Sequence, residues 1–173
     1  MGPVLACVDV DYREDQAPAH AVAACVVFED WPAPTPAAEH VHWLDAVAPY
    51  VPGQLYLREL PCLLAVLERV ARPLDAVLVD GYAVLDAQGR PGLGAHLHAA
   101  LERRIPVVGV AKTHFRGSTA VEVLRGGSTR PLYVTAVGMG PERAAEGVGR
   151  MHGPHRIPTL LRRVDRLCRD ASR

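Results

Sequence analysis

The order in which the apolar periodicities follow one another narrows the fold of this chain more than any other feature. Val4 to Val10 and Ala21 to Phe28 are short β-branched runs, and the polar stretch Asp11 to His20 between them reads as the turn of a hairpin. A Pro-rich loop, Trp31 to Pro36, leads to His40–Ala46, which alternates weakly like an edge strand. The period then lengthens. Leu55, Leu57, Leu60, Leu63, Leu64, Leu67 and Val70 recur at three- and four-residue spacing, the stripe of an amphipathic helix that Pro73 brings to an end. Ala76 to Val79 is apolar, too short for a helix, and closes on Asp80-Gly81. Beyond it Leu93 to Leu101 reads as a helix, Pro106 to Val110 and Leu132 to Val137 as strands, and Glu142 to Val148 and Thr159 to Cys168 as late helices. An antiparallel meander followed by βα units predicts an α/β domain with a mixed sheet flanked by helices. The segment Phe115 to Arg130, rich in glycine and carrying Arg116, Arg125 and Arg130, reads as a mobile loop. No internal repeat or linker divides the chain, so residues 1–173 are expected to form one domain.

Composition excludes several classes of function. The 19 basic residues balance the 19 acidic ones, so no global positive field marks a protein that coats nucleic acid. An enzyme needs only a local basic path and is not excluded. No apolar run has the length of a membrane span, and carboxylates arrive too early in the chain for a signal peptide. Cys7, Cys25, Cys62 and Cys168 are scattered without a CxxC pair, the pattern of buried free thiols in a cytoplasmic protein. Lys112 is the only lysine in a chain that otherwise uses arginine, as though this position requires a compact ammonium.

Three carboxylates stand where a fold normally places apolar groups. Asp9 interrupts the first strand, Asp80 ends a buried run, and Glu59 falls among the leucines of the helix. Singly, each has an ordinary reading as a turn residue, a strand cap or a solvated side chain. Together, carboxylates withdrawn from water need a cation between them. Hard ions such as magnesium take oxygen ligands and serve phosphoryl transfer in such sites.

The segments Val8-Asp9-Val10-Asp11-Tyr12, Pro49-Tyr50-Val51-Pro52-Gly53, Leu57-Arg58-Glu59-Leu60-Pro61, Val79-Asp80-Gly81 and Gly109-Val110-Ala111-Lys112 occur in an order and spacing that resembles the endonuclease V family. The resemblance implies a ribonuclease H-like fold and a nuclease that cuts DNA or RNA near inosine or other deaminated or distorted bases, in the service of DNA repair. It implies Asp9, Glu59 and Asp80 as magnesium ligands, with manganese able to substitute, and Lys112 as a catalytic partner of the phosphate. It implies Tyr50 as a wedge between base pairs, with Pro52, Gly53, Leu55 and Gly81 shaping the pocket for the exposed base. His96 resembles a family position on the following helix, although a histidine packing one helix on another is the more ordinary reading.

The chain also departs from the family. Tyr82 and Asp86 stand where the resemblance leads one to expect a His or Gln and then a His. Met139 occupies the place of a late active-site histidine, Ala144 that of an acidic residue, and Asp11 that of a Ser or Thr. These departures leave two alternatives open: a nucleic-acid-binding relative with weakened catalysis, and a metal-dependent phosphodiesterase for a smaller substrate. Oligomeric state is not legible.

Overall fold

The computed structural model describes residues 2–173. Strands β1 (Val4–Arg13), β2 (His20–Glu29) and β3 (Ala38–Leu44) form the antiparallel meander. Helix α1 (Leu55–Leu67) crosses to β4 (Ala76–Asp80), which lies parallel to β1, and α2 (Leu93–Ala100) crosses to β5 (Val107–Ala111), parallel to β4. Strands β6 (Val121–Val123) and β7 (Leu132–Val137) complete the sheet antiparallel, before helices α3 (Pro141–Arg150) and α4 (Thr159–Asp170). The seven strands run in the order β3-β2-β1-β4-β5-β7-β6. No described helix is long and apolar enough to cross a membrane.

Side chains alternate faces along a strand, and this divides the core in two. Leu5 and Cys7 of β1 pack with Phe28, Leu132 and the α3–α4 residues Val148, Leu160 and Val164. Ala6 and Val8 pack on the opposite face with Cys62, Leu63 and Val66 of α1 and Leu97 of α2. Helices cover both faces, so β2 is buried along nearly its whole length and reads as a continuous apolar run.

Several boundaries differ from expectation, and β3 runs Ala38–Leu44 rather than His40–Ala46. The hairpin turn is shorter, because β1 continues through Asp11, Tyr12 and Arg13, paired with Val22, Ala21 and His20. These polar residues are tolerated in a strand because Arg13 is occupied. Its guanidinium donates to the carbonyls of Cys168, Arg169 and Ala171 at 3.0, 3.1 and 3.2 Å, closing the C-terminal end of α4. Helix α1 stops at Leu67 rather than Val70. The segment expected to be a mobile loop contains β6, hydrogen-bonded to β7, and a buried arginine. Three strand residues are too few for alternation to show in the sequence.

Candidate active site

Adjacent parallel strands place the first two carboxylates. Cys7 of β1 pairs with Leu78 of β4, and two residues further along each strand stand Asp9 and Asp80. By the two-residue period both aim at the face that α4 covers. Lys112 follows β5 immediately, and its Nζ lies 3.6 Å from Asp80 Oδ2. Gly81 leaves β4 with φ of 116°, a conformation that favours glycine. The chain then crosses β5 so closely that a Cβ on Gly109 would meet Ala83 N at 2.5 Å and Gly81 O at 2.6 Å. Ala83 N–H donates to Thr135 Oγ1 at 2.8 Å, fixing that crossing. Tyr82, in place of the expected His or Gln, donates its hydroxyl to Thr113 O (2.8 Å) and accepts from Phe115 N–H (2.9 Å). It therefore holds the segment that follows Lys112.

Helices on opposite faces of the sheet supply the rest. Glu59 comes from the first turns of α1, and Asp165 comes from α4. Asp9, Asp11, Glu59, Asp80, Lys112, Asp165 and Arg169 line one cleft of about 210 Å³ at the C-terminal ends of β1 and β4. Neighbouring arginines position both helices. Arg58 is only 6% exposed, lies 3.8 Å over the Tyr12 ring and donates to Glu14 at 2.6 Å, anchoring the start of α1 on β1. Arg125 is buried and donates to the carbonyls of Met151, Gly153, His155 and Arg156, which shapes the loop that delivers α4. Truncating Arg58 to alanine should lower folding stability by about 2 kcal/mol, because it removes a cation–π contact and a charged hydrogen bond. Chemical denaturation would read this directly, and an unchanged midpoint would mean that the helix needs no such anchor.

Electrostatics of the cleft are strained by like charges. Burial pushes the Asp9 carboxyl up to about 7, against the opposing hydrogen bond from Val10 N–H, with the charges of Asp80 and Asp165 adding to the rise. Burial also pushes Glu59 up to about 7, assisted by Asp80 and opposed by Arg58. Among the described residues that line the cleft, only Lys112 and Arg169 are basic, and Arg169 Nε already pairs with Asp165 at 2.9 Å. Among the described residues no three His, Cys, Asp or Glu side chains form a ready-made cage for an ion. A magnesium ion does not require one, since it keeps several waters and is held by one or two carboxylates. An all-oxygen donor set with two carboxyls pushed toward neutrality fits a hard divalent cation, which would relieve the repulsion between them.

Of the residues expected to recognise a base, Tyr50 is 57% exposed, and Val51 and Leu55 are exposed beside it. The ring does not pack on Trp43, which is instead flanked by His20, Arg13 and Arg173. Pro52 and Gly53 are exposed in the same loop, and Gly53 has φ of 77°. His96 stacks flat on Tyr56, with ring centroids 3.7 Å apart, joining α2 to α1.

Two expectations for the late chain are corrected. Met139 does not border the carboxylates: it lines a groove with Pro3, Asp75, Ala76 and Pro106, at the opposite ends of β1 and β4. Ala144 is fully buried in the core that α3 covers. The late carboxylate that lines the cleft is Asp165, which breaks no local pattern in the sequence. Asp86 closes its own turn by accepting from Gln88 and Arg90 N–H groups.

This mixed sheet, with an acidic cleft at the ends of two neighbouring parallel strands, is that of the ribonuclease H-like class. The endonuclease V family model matches residues 2–146. Endonuclease V of Streptomyces coelicolor is 35% identical over 96% of this chain and 78% of its own length, and that of Rhodospirillum centenum is 35% identical over 94% and 76%. The crystal structure of Streptomyces avermitilis endonuclease V superposes with a TM-score of 0.80 at 27% identity, covering 98% of this chain and 82% of that one. Ciona intestinalis endonuclease V, crystallised with a 24mer DNA containing an inosine followed by a ribo-adenosine, shares the fold with a TM-score of 0.76 at 18% identity, over 97% and 84% of the two chains. The chain belongs to the endonuclease V family, a family of nucleases.

Proposed function

We propose that this chain is a divalent-metal-dependent endonuclease, using magnesium or in its place manganese, that cuts a phosphodiester of DNA or RNA near inosine or a distorted base. The observation that carries this reading is the convergence of Asp9, Asp80, Glu59 and Asp165 from two strands and two helices onto one cleft beside Lys112. Asp9, Glu59 and Asp80 would hold the ion, and Asp165 would orient its water. When bound, the ion supplies an activated water and neutralises charge developing on the phosphate. The Lys112 ammonium, drawn to Asp80, is placed to meet a phosphate oxygen. Four free, buried cysteines suit a reducing compartment such as the cytoplasm.

Incubation of inosine-containing and matched adenosine-containing strands with magnesium or manganese tests the reading. Metal-dependent cutting of the inosine strand alone supports it, and no metal-dependent cutting of DNA or RNA overturns it. A binding protein with weakened catalysis is the second reading. It is favoured by the Lys112–Asp80 and Arg169–Asp165 pairs, which give two carboxylates partners without any metal. A titration showing no metal uptake, with binding of the inosine strand retained, would select it.

Tyr50 is placed to stack on bases, on a loop that Pro49 and Pro52 stiffen. Tyr50→Ala should leave thermal stability nearly unchanged and weaken binding of an inosine-containing strand about tenfold, the low end of a stacking contact. A large loss of stability with binding intact would make the ring a packing residue.

A further inference from the structure

A neutral chain must concentrate positive charge if it is to grip a polyanion, and here that charge lies on α4. From Arg156 to Arg173 the sequence carries six arginines against Asp165 and Asp170. Most are committed. Arg156 donates to the carbonyls of Lys112, Arg130 and Pro131, Arg163 pairs with Glu39 through two hydrogen bonds, and Arg169 and Arg173 pair with Asp165 and Asp45. Arg162 and Arg166 are exposed and have no carboxylate partner among the described residues. Four residues apart, they lie about 40° from each other around the helix, on one face, and about 6 Å apart along its axis.

With His155, Ile157, Thr159 and Arg163 they line an open groove of about 340 Å³. Ile157 also lines a small depression that shares Asp9, Asp80, Lys112 and Asp165 with the carboxylate cleft, so groove and cleft are neighbours on either side of the same residues. The N-terminal end of α4 opens on the groove at Thr159, with no side-chain cap and no acidic residue in the first turn. That leaves the positive end of the helix dipole available to an external anion.

We propose that this groove is a phosphate track, in which Arg162 and Arg166 each hold one backbone phosphate of the nucleic-acid strand whose neighbouring phosphodiester enters the cleft. The inference rests on the endonuclease reading for the identity of the polyanion, and adds the path by which the strand leaves the site. Phosphate contacts carry no sequence information, so the groove supplies affinity and register while the Tyr50 loop supplies discrimination.

The test is the affinity of the full chain for labelled inosine and adenosine single strands in metal-free buffer, over a salt series. Arg162→Ala/Arg166→Ala should weaken binding of both strands equally, about tenfold at low salt, and reduce the slope of log affinity against log salt by about 1.4, the value for two phosphates of a single strand. Arg143→Ala removes an exposed arginine at the opposite end of the sheet and should change neither quantity. Alanine is favoured on a helix surface, and Arg162→Gln/Arg166→Gln, which keeps most of the side-chain volume, should give the same loss of slope. An unchanged slope in either double variant, an equal loss in Arg143→Ala, or a wild-type chain that binds neither strand overturns the track. Failure of the endonuclease reading is read separately, as absence of metal-dependent cutting by the wild type.

Discussion

Asp9→Asn should reduce strand cleavage on the order of a thousandfold and, in the same protein without metal, raise the melting temperature at pH 8. The first effect follows from the position of Asp9 beside Asp80 at the ends of neighbouring strands, where a bound divalent ion would contribute several kcal/mol to the transition state. The second follows from burial. The folded protein holds the carboxyls of Asp9 and Glu59 at about 7, above the range near 4 of an unfolded chain. The folded state therefore binds more protons than the unfolded state between these values. The stability these groups contribute is fully present below about pH 4 and is lost as pH rises through about 7. Asparagine carries no such charge, and its Oδ1 can still accept the Val10 N–H bond that Asp9 accepts at 3.0 Å. Melting curves of metal-free wild type and variant should therefore diverge as pH rises, with the variant the more stable. Magnesium should restore the wild type and leave the variant nearly unchanged, since an ion stabilises only the state that binds it. A variant that melts lower at pH 8 and still cuts would remove Asp9 from the metal site.

The strand carboxylates were legible because burial and period leave a local trace. Asp9 lies among Val8 and Val10, and Asp80 closes an apolar run, so each breaks a pattern its own neighbours define. Asp165 breaks nothing. It stands between Val164 and Arg166 in a helix full of arginines, where a carboxylate reads as half of a surface ion pair, and it does form one with Arg169. What brings it to the cleft is the packing of α4 against β1, which Arg13 closes across the sequence from residue 13 to residues 168–171. No window of sequence contains that contact. Met139 failed for the complementary reason: it follows β7, which runs antiparallel to β5, so its end of the strand lies away from the cleft.

Asp165→Asn and Met139→His therefore have opposite expectations. If the late functional group stood in the turn between β7 and α3, restoring a histidine there would raise the cutting rate. The structure places that turn beside the N-terminal ends of β1 and β4, so Met139→His should leave the rate on an inosine-containing strand unchanged. Asp165→Asn keeps the size of the side chain but removes its charge from the cleft and from beside Asp9. A group that orients a metal's ligands or water costs about ten- to a hundredfold in affinity or activity when lost. Asp165→Asn should accordingly lower the rate at saturating manganese, or shift the metal titration, by about that factor. Arg169→Gln separates this from the loss of a surface ion pair. Exposed pairs of this kind contribute about 0–1 kcal/mol, so Arg169→Gln should leave the melting temperature close to that of the wild type, as should Asp165→Asn. Were Asp165→Asn to cut at the wild-type rate with an unshifted metal titration, the cleft would need only three carboxylates and α4 would serve it as a wall alone.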